Sequence, residues 1–207
     1  MRLTPSLLVA ALLLPAAARA QTTADTLNLI GRSTLLFGVG LLGSRDASAT
    51  AGASGVHASG EIASMSFSHW VTPSIAAEIS TGVLGASATA GFGGTRANTI
   101  TPVLFGLSFS PRAIALGKTV RPFVSAAAGP YIHSSSDASG GGADASSESV
   151  AGARLGAGAN LFVSRHFMLA VAGDYNAVGR FSRLDSVSEH PSGFGMSFAL
   201  GFAWGGQ

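Results

Sequence analysis

The chain has 207 residues, of which 47% are hydrophobic and only 11% charged, with a formal net charge of +2 and no cysteine. Ordinary soluble domains carry about 25% charged residues, so this composition and a mean hydropathy of +0.42 point away from a wholly aqueous surface. The missing cysteines exclude a disulfide framework, a thiolate metal site and a cysteine nucleophile.

The first twenty residues have the order of a secretory signal. Met1 and Arg2 form a positive start, Leu7 to Leu14 an apolar stretch, and Ala18-Arg19-Ala20 an A-x-A cleavage site before Gln21. The apolar stretch is too short for a spanning helix, which needs roughly 20 residues. Cleavage removes Arg2 and Arg19, leaving ten basic residues against ten acidic ones. The high sequence pI is therefore no nucleic-acid footprint, and no basic stripe with interleaved aromatics occurs. Residues 21–32 read as a short N-terminal segment and 33–207 as one domain.

No uninterrupted apolar helical span follows the signal, and glycines recur inside the apolar stretches, where they weaken helices. A hydrophobic chain without spanning helices has one other way to satisfy its backbone in lipid, a closed β-barrel. Eight segments of strand length fit that reading. The first, Ser33 to Gly43, sets Leu35, Phe37, Val39 and Leu41 outward against Gly38 and Gly40. The second, from about Ile62 to His69, sets Ala63, Met65 and Phe67 against Ser64, Ser66 and Ser68. After Val71 to Ser74, the third turns Ile75, Ala77, Ile79, Thr81 and Val83 outward; the fourth does so with Thr101, Val103, Phe105, Leu107 and Phe109.

The fifth, Val120 to Ile132, shows no clear inside and outside by hydrophobicity. In the sixth, Ala151, Ala153, Leu155, Ala157, Ala159, Leu161 and Val163 oppose Gly152, Arg154, Gly156, Gly158 and Asn160. The seventh opposes Phe167, Leu169, Val171 and Tyr175 to Ala170, Ala172, Asp174 and Asn176. The eighth alternates Phe194, Met196, Phe198, Leu200, Phe202 and Trp204 with Gly, Ser and Ala. A face that bare suits the crowded inside of a narrow barrel. Outside the fifth strand no outward set contains a charge, as expected where a midplane Lys or Arg costs roughly 2–4 kcal/mol.

The connections alternate. Asp46 to Gly55, Ser87 to Asn98, Ser134 to Ser149 and Phe181 to Ser192 read as long polar loops; Val71 to Ser74, Pro111 to Thr119 and Ser164 to His166 are shorter. Long loops outside and short periplasmic turns are the outer-membrane pattern. The third long loop reads as low-complexity and mobile, and its Asp137, Asp144 and Glu148 lack EF-hand spacing.

The signal followed by eight alternating strands resembles the small outer-membrane β-barrel family of OmpA/OmpX type. The run Arg121-Pro122-Phe123-Val124-Ser125-Ala126-Ala127-Ala128-Gly129-Pro130-Tyr131 is similar to that family's fifth strand. Gly156 to Phe162 with the Ser164-Arg165-His166 turn is similar to its sixth-to-seventh hairpin. The C-terminal strand resembles the assembly signal of outer-membrane proteins: Ser197, Phe202 and Trp204 match, while Ala199 replaces a glycine and Gly205-Gly206-Gln207 extends beyond the final aromatic. The resemblance implies an all-β, eight-stranded antiparallel up-and-down transmembrane β-barrel in the outer membrane of a Gram-negative envelope. The implied partners are outer-membrane lipids and lipopolysaccharide, the barrel-insertion machinery and periplasmic chaperones, with no nucleic acid and a monomeric state.

An eight-stranded barrel leaves an interior just wide enough for side chains or one small ligand. Inward Glu78, Arg154 and Asp174 read as a lumenal ion-pair network, because buried charges need partners. With Ser164 to His166 as a three-residue turn, Arg154 faces Asn176, and Asp174 lies on the diagonal within reach. The functional alternative is a polar gate or ligand contact in a partly open lumen lined by small residues. His69-Trp70 reads as an interfacial anchor, and His57, His166 and His190 are scattered. Arg180, Arg183, Asp185, Glu189 and His190 read as a solvated last loop, with lipopolysaccharide phosphates as the functional alternative.

No catalytic residue, metal site or cofactor is expected. The leading expectation is a structural or surface-interaction role with loops displayed on the barrel. The alternatives are a narrow channel or carrier for small molecules and, third, a lipid-modifying surface hydrolase using His133 beside Ser134, Ser135 and Ser136 at the rim.

Overall fold

The computed structural model describes residues 29–44, 60–91, 94–111, 119–139, 142–181 and 192–206. The signal, residues 21–28, the whole first polar loop and most of the 111–119 connection and the last polar loop lie outside the described residues. Among the described residues no helix is long and apolar enough to cross a membrane. Strands β1 (Arg32–Ser44), β2 (Gly60–Trp70), β3 (Ile75–Gly91), β4 (Gly94–Phe109), β5 (Val120–Ser139), β6 (Gly142–Phe162), β7 (Phe167–Val178) and β8 (Gly193–Gly205) pair in chain order. All pairs are antiparallel, and β8 returns to β1 from Gly193↔Ser44 to Gly205↔Arg32. The sheet has no unpaired first or last strand, which leaves closure as its only edge treatment.

Side chains follow the period of two. Phe37, Val39, Phe105, Leu155, Val171, Phe194 and Phe198 are among the exposed large apolar residues of the wall, with Phe194 at 72%. Between them, Gly193, Gly195, Gly201 and Ala203 are buried on the inner side of β8. Gly201 shows why the inner face is so small: a Cβ there would run into the Leu35 carbonyl oxygen and the Leu36 Cα of β1. Eight strands must curve tightly to close, and curvature crowds the inner face.

The fifth strand is resolved by its neighbours. Val124, Ala126, Ala128 and Pro130 face out, whereas Arg121, Phe123, Ser125, Ala127, Tyr131 and His133 face in. Its aromatic residues Phe123 and Tyr131 point into the lumen while Ala126 and Ala128 coat the wall, the reverse of β8.

Two stretches expected as loops are strand instead. Residues 87–91 and 94–98 continue the β3–β4 ladder to Gly91↔Gly94, past a register shift between Leu84 and Ala86. Residues 134–139 and 142–149 continue the β5–β6 ladder to Ser139↔Gly142. The pairing also runs sideways, from Thr95↔Ala138 onward between β4 and β5. Ser, Gly and Ala give no alternation to read, but backbone ladders do not require it, and a neighbour on each side supports the middle strands. One end of the barrel therefore carries long hairpins, and the other carries the turns 71–74 and 163–166 and the last residues of β8.

Candidate functional site: the lumen

Following the inward positions along each strand divides the lumen into three levels. At the short-turn end Leu29, Trp70, Ala76, Phe162 and Met168 form an apolar floor, with Leu36 packed against it. At the hairpin end Leu42, Leu84, Leu104, Tyr131, Val178 and Phe181 form an apolar ceiling. Between Ala76 and Leu84 on β3, and between Phe162 and Val150 on β6, lies a polar belt.

The belt holds Glu78 and Arg154. Arg154 Nη2 donates to Glu78 Oε1 at 3.1 Å and to Ser80 Oγ at 2.7 Å. The side chains are 20% and 15% exposed for Arg154 and Glu78, so the pair is largely shielded from water and more costly to break than a surface bridge. The turn register is as expected, with Arg154 opposite Asn176 and Gly156 opposite Asp174. The guanidinium, however, does not take the diagonal to Asp174. It crosses the lumen to β3, and Asp174 Oδ1 accepts a hydrogen bond from Asn176 Nδ2 at 2.7 Å instead. Asn176 is fully enclosed and its Oδ1 accepts from the Tyr131 hydroxyl at 2.8 Å. Gly152 makes the Tyr131 position possible, since a Cβ there would meet the ring at 2.6 Å.

Of the three expected lumenal residues, Glu78 and Arg154 are brought together and Asp174 belongs to the Tyr131–Asn176 chain. Ser80, Tyr131 and Asn176 were not singled out from sequence. Strand parity carried the signal for Asn176, but nothing local marks Ser80 as an arginine acceptor three strands away.

Two readings are corrected. Trp70 is no interfacial anchor; it is 3% exposed and packs in the floor. Parity required this, because Ser64, Ser66 and Ser68 already face inward. His69 is the outward member of the pair, with Nδ1 at 3.0 Å from Ser33 Oγ. His133 is not at an open rim beside serines. It is 4% exposed, inside the barrel, with its ring centroid 5.6 Å from that of Phe181. Ser134 falls on the outer face, and Ser135 Oγ lies 2.7 Å from Ser146 Oγ. Among the described residues no group of three or more His, Asp or Glu converges as a metal site.

On β8, Ser197 and Ala199 face the lumen, while Phe202 and Trp204 stand on the wall. Phe202 meets Phe167 edge-on with centroids 6.0 Å apart, and Trp204 lies 6.1 Å from Phe67.

No family model matches the chain, and no curated protein sequence does. Solved structures do. Ail, the attachment invasion locus protein of Yersinia pestis, matches with a TM-score of 0.54 at 10% identity, over 84% of this chain and 99% of that one. Neisserial surface protein A matches with 0.53 at 13%, over 83% and 94%. The outer membrane protein OprG of Pseudomonas aeruginosa matches with 0.52 at 10%, over 86% and 97%. At such low identity the likeness is one of fold: this chain has the closed eight-stranded architecture of small outer-membrane β-barrel proteins.

Proposed function

We propose that the chain is a small, monomeric outer-membrane barrel protein with a structural or surface-interaction role, and that it is not an enzyme. The filled lumen carries this reading. An apolar floor and an apolar ceiling bracket the Glu78–Arg154 belt, which supports a plugged rather than an open barrel. The apolar wall supports residence in a bilayer, and the secretory signal supports export to the outer membrane. The hairpins of β3–β4 and β5–β6 are the parts that project, and Ail and Neisserial surface protein A, named for attachment and for the surface, share the architecture.

In this reading the projecting hairpins face the exterior and lipopolysaccharide, and periplasmic chaperones deliver the chain to the insertion machinery. That machinery reads β8 through Ser197, Ala199, Phe202 and Trp204. The narrow channel is the competing reading. Planar-bilayer recording of the purified protein decides between them: the filled lumen predicts no conductance steps, and reproducible steps that change on substitution of Arg154 would reject the structural role.

A further inference from the structure

Arg32 opens β1 on its inward side and is only 5% exposed. A guanidinium carries five N–H donors in a fixed fork. Here Nη2 donates to the Arg165 carbonyl, and Nε has no acceptor among the described residues. Arg165, whose carbonyl takes that bond, carries a charge of the same sign and is exposed in the turn between β6 and β7. No ion pair among the described residues reaches Arg32. In the described strands every carboxylate residue, namely Glu61, Glu78, Asp137, Asp144, Glu148 and Asp174, lies further from this end.

A buried cation beside a like charge, with no counterion among the described residues, is a costly arrangement. One oxyanion bridging both guanidiniums relieves the burial cost and the repulsion together. Depth indicates the kind of anion. Phe167, two residues after Arg165, forms an outer aromatic cluster with Phe202, and Trp204 pairs with Phe67 nearby. Wall aromatics of this kind sit at the membrane–water interface, which is where lipid phosphates lie.

We propose that Arg32 and Arg165 bind a phosphate oxyanion at the short-turn mouth of the barrel, supplied by a phospholipid headgroup or by free phosphate. The proposal rests on the membrane reading above. The two tryptophans, Trp70 and Trp204, both lie at this end and report on it. The mature protein is inserted into phosphatidylcholine vesicles with or without phosphatidylglycerol, and thermal unfolding is followed by tryptophan fluorescence.

Phosphatidylglycerol is expected to raise the wild-type midpoint by about 3 °C. Arg165→Gln, a change at an exposed side chain that leaves the fold intact, abolishes the rise, and Arg32→Gln does the same where it folds. Arg180→Gln, exposed near the hairpin end, keeps it. Inorganic phosphate added to phosphatidylcholine vesicles separates the sources. A full rise with phosphate alone assigns free phosphate, and a rise only with phosphatidylglycerol assigns the headgroup.

No rise with either, a wild-type rise in Arg165→Gln, or an equal loss in Arg180→Gln overturns the proposal. Heat-modifiable electrophoretic migration scores insertion in the same samples. Insertion without a phosphate response rejects this site alone, whereas failure to insert rejects the membrane reading and the site with it.

Discussion

Arg154 on β6 and Glu78 on β3 meet at 3.1 Å across the lumen, although β4 and β5 separate them along the wall. The contact ties two parts of the wall that share no backbone hydrogen bonds. Because it spans the lumen, the pair braces the fold across the barrel rather than along its wall.

Cutting that tie from one side is expected to be expensive. Glu78→Gln leaves Arg154 charged, enclosed and bonded mainly to Ser80, and should lower stability by about 3 kcal/mol. Replacing both partners, Glu78→Gln with Arg154→Met, should recover part of the loss, because no orphaned charge remains. Urea unfolding in vesicles measures both, and a double variant no better than the sum of the single ones would show that the two residues do not act as a pair.

The facing of β7 predicts an asymmetry between neighbours. Val171 stands exposed on the wall and Ala172 faces the lumen. Val171→Arg should impair insertion by about 2–4 kcal/mol, and Ala172→Ser should change little. Folding yield into vesicles is the readout, and equal effects would contradict the assigned faces.

Two glycines should respond in opposite ways to alanine. Gly201 is crowded by the β1 backbone, so Gly201→Ala should weaken the β8–β1 seam. Gly173 is on the outer face, and a Cβ there would meet nothing nearer than 3.8 Å. Gly173→Ala should be neutral or stabilising by about 0.5 kcal/mol, chiefly through the unfolded chain. Midpoints of urea unfolding compare them.

Truncation before Phe202 removes the partners of Leu35, Thr34, Ser33 and Arg32 on β1, along with both wall aromatics of the assembly segment. The shortened chain should accumulate unassembled in the periplasm, seen as loss of heat-modifiable migration. Normal folding would show that recognition lies elsewhere.

Much of this architecture was legible because alternation survives wherever the two faces differ in size, as in β8 and β1. It failed on β5, where Tyr131 and Phe123 turn inward while Ala126 and Ala128 coat the wall; hydrophobicity cannot distinguish a filled lumen from lipid. The hairpin extensions were misread because Ser, Gly and Ala look like loop on both faces. Trp70 was legible and overlooked, since its parity with Ser68 placed it inside. The Glu78–Arg154 contact was legible only as a pair of inward charges. Nearest-strand register says nothing about which side chain crosses an enclosed space, and so Asp174, adjacent on the diagonal, looked like the partner.

The chain contains no cysteine, so single cysteines can be placed one at a time along β8 from 194 to 204 and spin-labelled in vesicles. Accessibility to dissolved oxygen should alternate with a period of two, high at 194, 196, 198, 200, 202 and 204 and low at the positions between. A flat profile, a helical period or the opposite phase would contradict a barrel whose apolar wall meets the acyl chains.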